Sequence, residues 1–246
     1  MISGCKLSKT GYEKFLDVSL YKRVVGALQY ATITRPEISF SVNKVCQFMS
    51  NPLEQHWSII KRIFRYLKGT VFLGLHLQPA PSNAPLSIQA YCDVDWASNP
   101  NDRRSTSTVS IFVGPNLISW RSKKQTVIAR SSTKAEYRSL ALLTTEVMWI
   151  QTLLSELHVS HHTPIVYCHN MSTVAIAHNL VLHAQTKHMK LDLFFVHEKV
   201  AANLLQVVHV PAIDQYADIL TKALSPTRLC ELRTKLKLVD SSPHPT

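Results

Sequence analysis

The sequence has few of the features that define secreted or membrane proteins. Five cysteines lie at positions 5, 46, 92, 168 and 230 without forming a CxxC pair, so neither a disulfide framework nor a cysteine zinc site is indicated. No apolar run approaches the roughly 18–20 residues of a membrane-spanning helix, and residues 1–15 lack the apolar core of a secretory signal. We therefore expect an intracellular, reducing setting, either cytoplasmic or nuclear.

The chain does carry a surplus of basic charge. Of its 246 residues, 27 are Lys or Arg and 16 are Asp or Glu, which gives a formal charge of +11, and 46% are hydrophobic. The hydrophobic share argues against disorder. The charge favours a polyanionic partner, with nucleic acid first and an anionic membrane surface second, and a basic protein without such a partner fits about equally well.

The first part of the chain has a helical pattern that ends before a linker. Apolar stripes predict helices near 20–31, 38–49 and 52–68. The third has the sharpest start signal, with Asn51 as its cap and Glu54 as the acidic half of a capping box. The sequence PAPSNAP at 79–85 is typical of a linker, and we expect a domain boundary there.

Beyond the linker, the pattern changes to strands and helices in alternation. Three consecutive strands with short links, near 86–92, 107–113 and 116–121, indicate an antiparallel meander. The further predicted elements are a helix at 133–157, a strand at 165–168, a helix capped by Asn170, a helix at 191–202, a strand at 205–210 and a helix begun by Asp214. This order predicts a mixed α/β domain rather than a doubly wound one.

Four polar residues stand out because each lies where an apolar element ends or begins: Asp93, Glu136, His169 and Asp218. Each also has a structural explanation. Asp93 and its neighbour Asp95 fit strand-end turn formers, Glu136 fits a capping box with Thr133, and Asp218 fits the positive end of a helix.

Taken together, these residues suggest a site. In mixed sheets, ligands collect at the carboxyl ends of strands and at adjacent helix starts, where Asp93, Glu136 and His169 would meet. Carboxylates crowded into such a crevice repel one another unless a divalent cation binds between them. Spacing alone does not establish that they converge.

Several longer stretches resemble the Pol polyproteins of copia-type retrotransposons. They are LYKRVVGALQYATITRPEISFSVNKVCQFMSNP (20–52), HWSIIKRIFRYLKGT (56–70), DVDWASNPNDRRSTS (93–107), LISWRSKKQ (117–125), ARSSTKAEYRSLA (129–141), QTKHMKLDLFFVHEKV (185–200) and DQYADILTKALS (214–225). The first two resemble the carboxyl end of the reverse transcriptase, and the others resemble the ribonuclease H module that follows it. The resemblance covers nearly the whole chain.

The resemblance implies how the chain is divided. Residues 1–80 would be a thumb- or connection-like remnant of the reverse transcriptase, 81–240 a ribonuclease H-like domain, and 241–246 a tail. The implied fold of the second part is a mixed sheet, with three antiparallel strands and then parallel ones, flanked by helices. The chain contains no YxDD motif, so no polymerase activity is expected of it.

The resemblance also implies a catalytic site. In the family, four carboxylates hold two Mg²⁺ ions that hydrolyse the RNA strand of an RNA–DNA hybrid, and Mg²⁺ requires such oxygen ligands. Asp93 matches the first carboxylate, Glu136 the second within KAEY, and Asp218 the fourth within YADIL. Asp95 is a neighbour that competes with Asp93 for the same role.

The third catalytic position departs from the family pattern. The family typically reads CDN where this chain reads CHN, which places His169 at a carboxylate position, and Thr108 stands where glycine is usual. An imidazole suits Zn²⁺ or other borderline metals better than Mg²⁺. We therefore expect a strongly impaired or inactive nuclease, in which Mg²⁺ occupancy is reduced. The alternatives are a non-catalytic nucleic-acid-binding module, a relic fragment of the polyprotein, or an interaction domain for other acidic partners.

Basic residues on the same module are candidates for contacts with nucleic acid. They are Arg103, Arg104, Arg121, Lys123, Lys124, Arg130, Lys187 and His188. Phosphate neutralisation by such residues gives affinity without sequence specificity, and plain solvation of the same cations is the competing explanation. The partners implied are an RNA–DNA hybrid and the upstream reverse transcriptase part of the polyprotein, with no membrane.

Overall fold

The computed structural model describes residues 7, 13–80, 84–179 and 190–241. By internal packing the chain forms two compact units. The first comprises the described residues within 1–76, 99–103 and 222–246, and the second those within 77–98 and 104–221. The division of the polyprotein at residues 80 and 240 stays a prediction.

In the described chain, helices come first, a run of strands follows, and mixed helices and strands complete the order. The helices are α1 (Val18–Ala31), α2 (Ser39–Cys46), α3 (Glu54–Lys68), α4 (Ser132–Glu156), α5 (Met171–His178), α6 (Lys190–Ala201), α7 (Asp218–Thr221) and α8 (Pro226–Lys235). The strands are β1 (Leu73–Leu75), β2 (Ile88–Asp95), β3 (Thr106–Val113), β4 (Asn116–Lys124), β5 (Ile165–Cys168), β6 (Gln206–His209) and β7 (Leu238–Asp240). No helix in this part of the chain is both long and apolar enough to cross a membrane.

The second unit is built on one five-stranded sheet in the order β4-β3-β2-β5-β6. Strands β2, β3 and β4 pair antiparallel, and β5 and β6 join β2 in parallel. This arrangement confirms the predicted ribonuclease H-like fold class, a mixed sheet with three antiparallel strands followed by parallel ones. Since β2, β5 and β6 run in the same direction, their carboxyl ends lie at one edge of the sheet.

Helix α4 covers one face of this sheet. Its residues Leu140, Leu143 and Val147 are fully buried in one cluster with Ala90 and Cys92 of β2. The spacing of three and four residues predicts an apolar stripe on this helix from Leu140 to Leu157, and the stripe is confirmed over these residues. It weakens toward the end, where Leu157 is exposed.

Two predicted helix starts are wrong. Helix α3 begins at Glu54 with Leu53 as its cap, and the Leu53 N–H donates to Nδ1 of His56 at 3.0 Å. The imidazole thus takes the capping-box role that the sequence assigned to Glu54, and Leu53 takes the cap position assigned to Asn51. The helix expected from Asp214 begins at Asp218, because Asp214 ends a separate 3₁₀ turn.

Candidate metal centre

Asp93 lies in the central strand of the sheet. Strand β2 pairs Asp93 with Thr108 and Asp95 with Thr106 of β3, so Asp93 lies inside the strand and is not the turn former that the sequence allowed. Asp93 is fully buried, and its backbone carbonyl accepts a hydrogen bond from Oγ1 of Thr108 at 3.1 Å. Asp95 is the last residue of the strand and is half-buried.

Glu136 lies one turn into α4. The helix is capped by Ser131, whose side chain accepts from the backbone N–H of Lys134. The explanation of Glu136 as part of a capping box with Thr133 is therefore wrong, since the box position three residues after the cap is Lys134. Glu136 is only 3% exposed, and a carboxylate is rarely buried to this degree unless it has a partner.

His169 follows directly after β5. The parallel pairing sets Cys92 opposite Cys168, which brings the next residues, Asp93 and His169, to the same sheet edge. Nδ1 of His169 lies 3.2 Å from Oδ1 of Asp93, and Nε2 lies 3.5 Å from Oε1 of Glu136. One ligand atom from each of the three residues lies within 4.8 Å of the other two.

Asp218 begins α7 at a position that Gln215 fixes. The Gln215 side chain, fully buried, donates to the backbone carbonyl of Cys92 at 2.9 Å and accepts from the backbone N–H of Ala217. Asp218 itself is 8% exposed. It is not part of the 4.8 Å group that the described residues form, so its role as a metal ligand stays a prediction.

Two residues that position elements at this edge, Gln215 and Thr108, are not predicted to do so from the sequence. Gln215 connects the loop before α7 to β2 across 123 positions of the chain, and no local pattern reveals that bond. In the sequence, Thr108 stands out only because the family usually has glycine at this position. Its hydroxyl forms a 2.7 Å hydrogen bond with that of Thr221, which ties α7 to β3.

Beneath the site, two thiols shift each other's ionisation. A hydrogen bond with Cys92 lowers the pKa of Cys168, while the same bond together with burial raises the pKa of Cys92. On the neighbouring face, Tyr91 stacks between Tyr167 and Tyr216, at centroid distances of 4.8 Å and 4.5 Å. Burial raises the pKa of Tyr91.

The residues that converge do not fit a pair of Mg²⁺ ions. Mg²⁺ binds oxygen ligands in near-octahedral geometry and accepts imidazole poorly. Here the converging donor set is two buried carboxylates and one imidazole, and the imidazole has a nitrogen facing each carboxylate. It therefore occupies space that a shared cation would need.

The predicted nucleic-acid contacts have different surroundings. Arg121 on β4 forms an ion pair with Glu146, at 2.7 Å between Nη1 and Oε1. Lys123 and Lys124 end the same strand and line a cleft with Arg138. Arg103, Arg104 and Arg130 are exposed, and Lys187 and His188 lie outside the described residues.

The basic end of β4 lies next to the start of α4. Nε2 of Gln125 donates to the hydroxyl of Ser107 at 2.8 Å and to the backbone carbonyl of Ala135 at 2.9 Å. Because Ala135 precedes Glu136, this bond holds the two lysines close to the candidate site.

Comparison with curated proteins places the chain among transposon polyproteins. It is 40% identical over 244 residues to the retrovirus-related Pol polyprotein from transposon RE2 of Arabidopsis thaliana, covering 99% of this chain and 17% of that protein. It is 42% identical over 232 residues to the corresponding protein from transposon RE1 of the same plant, covering 94% and 16%. The chain thus spans about a sixth of the length of these relatives.

Other comparisons add less. No family model matches the chain. A solved foamy viral protease-reverse transcriptase in complex with RNA/DNA hybrid aligns with 89% of this chain and 27% of its own, at 11% identity and a TM-score of 0.46. That likeness is too weak to bear on function.

The sheet topology and the polyprotein relatives together define a ribonuclease H-like module of a retrotransposon polyprotein. More specifically, the chain belongs to the Pol polyproteins of copia-type transposons, as the sequence motifs predicted.

Proposed function

We propose that this module binds RNA–DNA hybrids and that its hydrolysis of the RNA strand is strongly impaired. One observation carries the proposal: the imidazole of His169 lies between the buried carboxylates of Asp93 and Glu136. In the family that the motifs resemble, a carboxylate at this position helps to hold the catalytic ions. An imidazole removes one negative charge from a site that must bind cations.

The loss of this carboxylate explains impairment without loss of the fold. Asp93 and Glu136 are held by a paired strand and a capped helix, so neither depends on His169 for its place in the chain. What His169 changes is the ligand set. We therefore expect a folded module with very slow turnover.

Hybrid binding is proposed on a separate basis, the basic end of β4. Lys123 and Lys124 lie beside the start of α4, where Gln125 fixes the strand end. Cations in this position contact phosphates and give affinity that falls steeply with added salt. Arg121 contributes less, because Glu146 already neutralises it. Preference for a hybrid requires contacts to 2′-hydroxyls across its minor groove.

A binding experiment on the full chain tests the proposal. A fluorescent RNA–DNA hybrid and a DNA duplex of the same sequence are titrated at several salt concentrations with Mg²⁺ present. We expect tighter binding of the hybrid and little cleavage of its RNA strand. The variant Lys123→Gln/Lys124→Gln is expected to lower the slope of log K against log salt by about 1–2, since each lost phosphate contact removes roughly 0.9.

The matched control is Lys190→Gln/Lys199→Gln, which removes the same charge from α6 and should leave the slope within about 0.5 of the parent. Equal affinity for hybrid and duplex, or an equal effect of the two double variants, would contradict the proposed binding. Rapid Mg²⁺-dependent cleavage by the unmodified chain would contradict the proposed impairment.

A further inference from the structure

The basic surplus of the chain is concentrated in its first third. Residues 1–76 contain eleven Lys and Arg against four Asp and Glu, which accounts for +7 of the total +11. The candidate metal centre and the basic end of β4 both lie outside this segment. Most of the excess charge therefore belongs to a part of the chain that the proposed function does not use.

Helix α3 carries the densest part of this charge. One face of the helix is buried in the first unit through His56, Ile59, Ile60 and Ile63. The exposed side has four cations, at Lys61, Arg62, Arg65 and Lys68. They recur at helical spacings of three and four, so they form one stripe about 10 Å long at a rise of ~1.5 Å per residue.

Among the residues that the structure describes, no acidic side chain forms an ion pair with this stripe. Glu54, the only acidic residue of α3, lies at the start of the helix, two turns before Lys61. None of the four cations forms an ion pair with a described residue, in contrast to Arg121 with Glu146. Like charges held one turn apart on a helix destabilise it slightly, and a bound polyanion removes that repulsion.

An aromatic ring lies among these cations. Phe64 is 45% exposed, and it lines a shallow groove with Ser58, Lys61, Arg62 and Arg65. A large apolar ring in water costs free energy that packing into the neighbouring core would recover. Its place among four cations matches the composition of single-strand binding grooves, in which basic residues follow the backbone and aromatic rings stack on bases.

We propose that the exposed face of α3 binds single-stranded nucleic acid, with Lys61, Arg62, Arg65 and Lys68 on the phosphates and Phe64 stacked on a base. A paired duplex offers no free base face to Phe64. An anionic membrane would need several apolar side chains on the basic face, and α3 turns Ile59, Ile60 and Ile63 into the core. The proposal does not rest on the nuclease centre or on hybrid binding.

The charge on the groove is tested with an oligodeoxythymidylate of about 12 nucleotides. Arg62→Gln/Arg65→Gln in the full chain is expected to lower the slope of log K against log salt by about 1.4, since each contact to a single strand contributes roughly 0.7. The matched control, Lys22→Gln/Arg23→Gln, removes an exposed pair from α1 and is expected to leave the slope unchanged. Equal slopes for the two variants would overturn the proposal.

The ring is tested separately. Phe64→Ala is expected to weaken binding of the oligonucleotide at least about fivefold, the lower limit for losing one stacked base. Its affinity for a DNA duplex is expected to stay within about twofold, as no stacked base is lost there. Phe72→Ala, another exposed phenylalanine of the first unit, should change neither affinity.

Three results would overturn the proposal: no effect of Phe64→Ala, an equal effect of Phe72→Ala, or an equal loss of duplex binding. Binding of the chain to phosphatidylserine vesicles that the groove variants abolish, with oligonucleotide binding unchanged, would assign the groove to a membrane instead. Circular dichroism melts establish that each variant is folded, so a loss of binding is read only from folded protein.

Discussion

Replacing His169 with aspartate is expected to raise Mg²⁺-dependent cleavage of the RNA strand of a hybrid by about 10²- to 10⁴-fold over the unmodified chain. The substitution supplies the third carboxylate at the sheet edge where Asp93 and Glu136 already converge. The side chain is 29% exposed, so aspartate can be accommodated without burying a full new charge. A restored negative charge strengthens cation binding at the site.

The measurement is single-turnover cleavage of an end-labelled hybrid by the full-length His169→Asp variant. His169→Asn is the matched control, because it removes the imidazole and adds an oxygen ligand but no charge. His178→Asp makes the same chemical change on α5, where the histidine bonds the backbone carbonyl of Val207. Cleavage no faster in His169→Asp than in these two controls would show that the imidazole is not what limits the activity.

Removing the imidazole altogether is expected to destabilise the fold by about 2–4 kcal/mol. His169→Ala leaves the carboxylates of Asp93 and Glu136 close together without the group that now separates them. Asp93 is fully buried and Glu136 is 3% exposed. Removing one partner from a buried contact that involves a charge costs roughly 3–5 kcal/mol, and we discount that value because the His169 side chain is 29% exposed.

Urea unfolding monitored by circular dichroism measures this effect. The double variant Asp93→Asn/His169→Ala removes one of the two charges and is expected to recover at least half of the lost stability. Asp95→Asn/His169→Ala is the matched control, since Asp95 is outside the converging group. A loss below about 0.5 kcal/mol in His169→Ala would contradict the view that the imidazole bridges the two carboxylates.

The fold was largely predictable because its signals are local. Alternation of apolar residues gave β3 to within one residue and β2 to within three, and the stripe of α4 is the one that packs on the sheet. Short links predicted the antiparallel order. The meeting of Asp93 with His169 followed from one rule, that parallel strands end at the same edge.

The predictions that were wrong concern two helix starts. These depend on contacts between residues distant in sequence, or on which of several nearby residues caps the helix. The sequence offered Asn51 and Glu54 as the start of α3, whereas the ring of His56 takes the free N–H of Leu53. It placed the last helix of the sheet unit at Asp214, but the bond from Gln215 to Cys92 holds that loop against β2 and delays the helix to Asp218.

The same limit applies to the candidate site. The motifs identified Asp93, Glu136 and His169 as candidate residues of a metal centre. The distances between their side chains could be obtained only from the structure. The place of Asp218 relative to them depends on α7, a helix of only four residues held by Gln215 and Thr221. Its role in holding a metal remains a prediction.

The most direct test of the account is a Mg²⁺ titration of thermal stability, on the unmodified chain and on His169→Asp. We expect the midpoint of thermal unfolding of the unmodified chain to shift by less than about 1 °C. This holds for Mg²⁺ concentrations up to about 100 times the dissociation constant of an ordinary protein magnesium site. The variant is expected to gain about 5–10 °C, the shift that ~2.7 kcal/mol of binding free energy gives a chain of this size. An equal gain in the unmodified chain would show that Asp93, Glu136 and His169 already form a competent magnesium site.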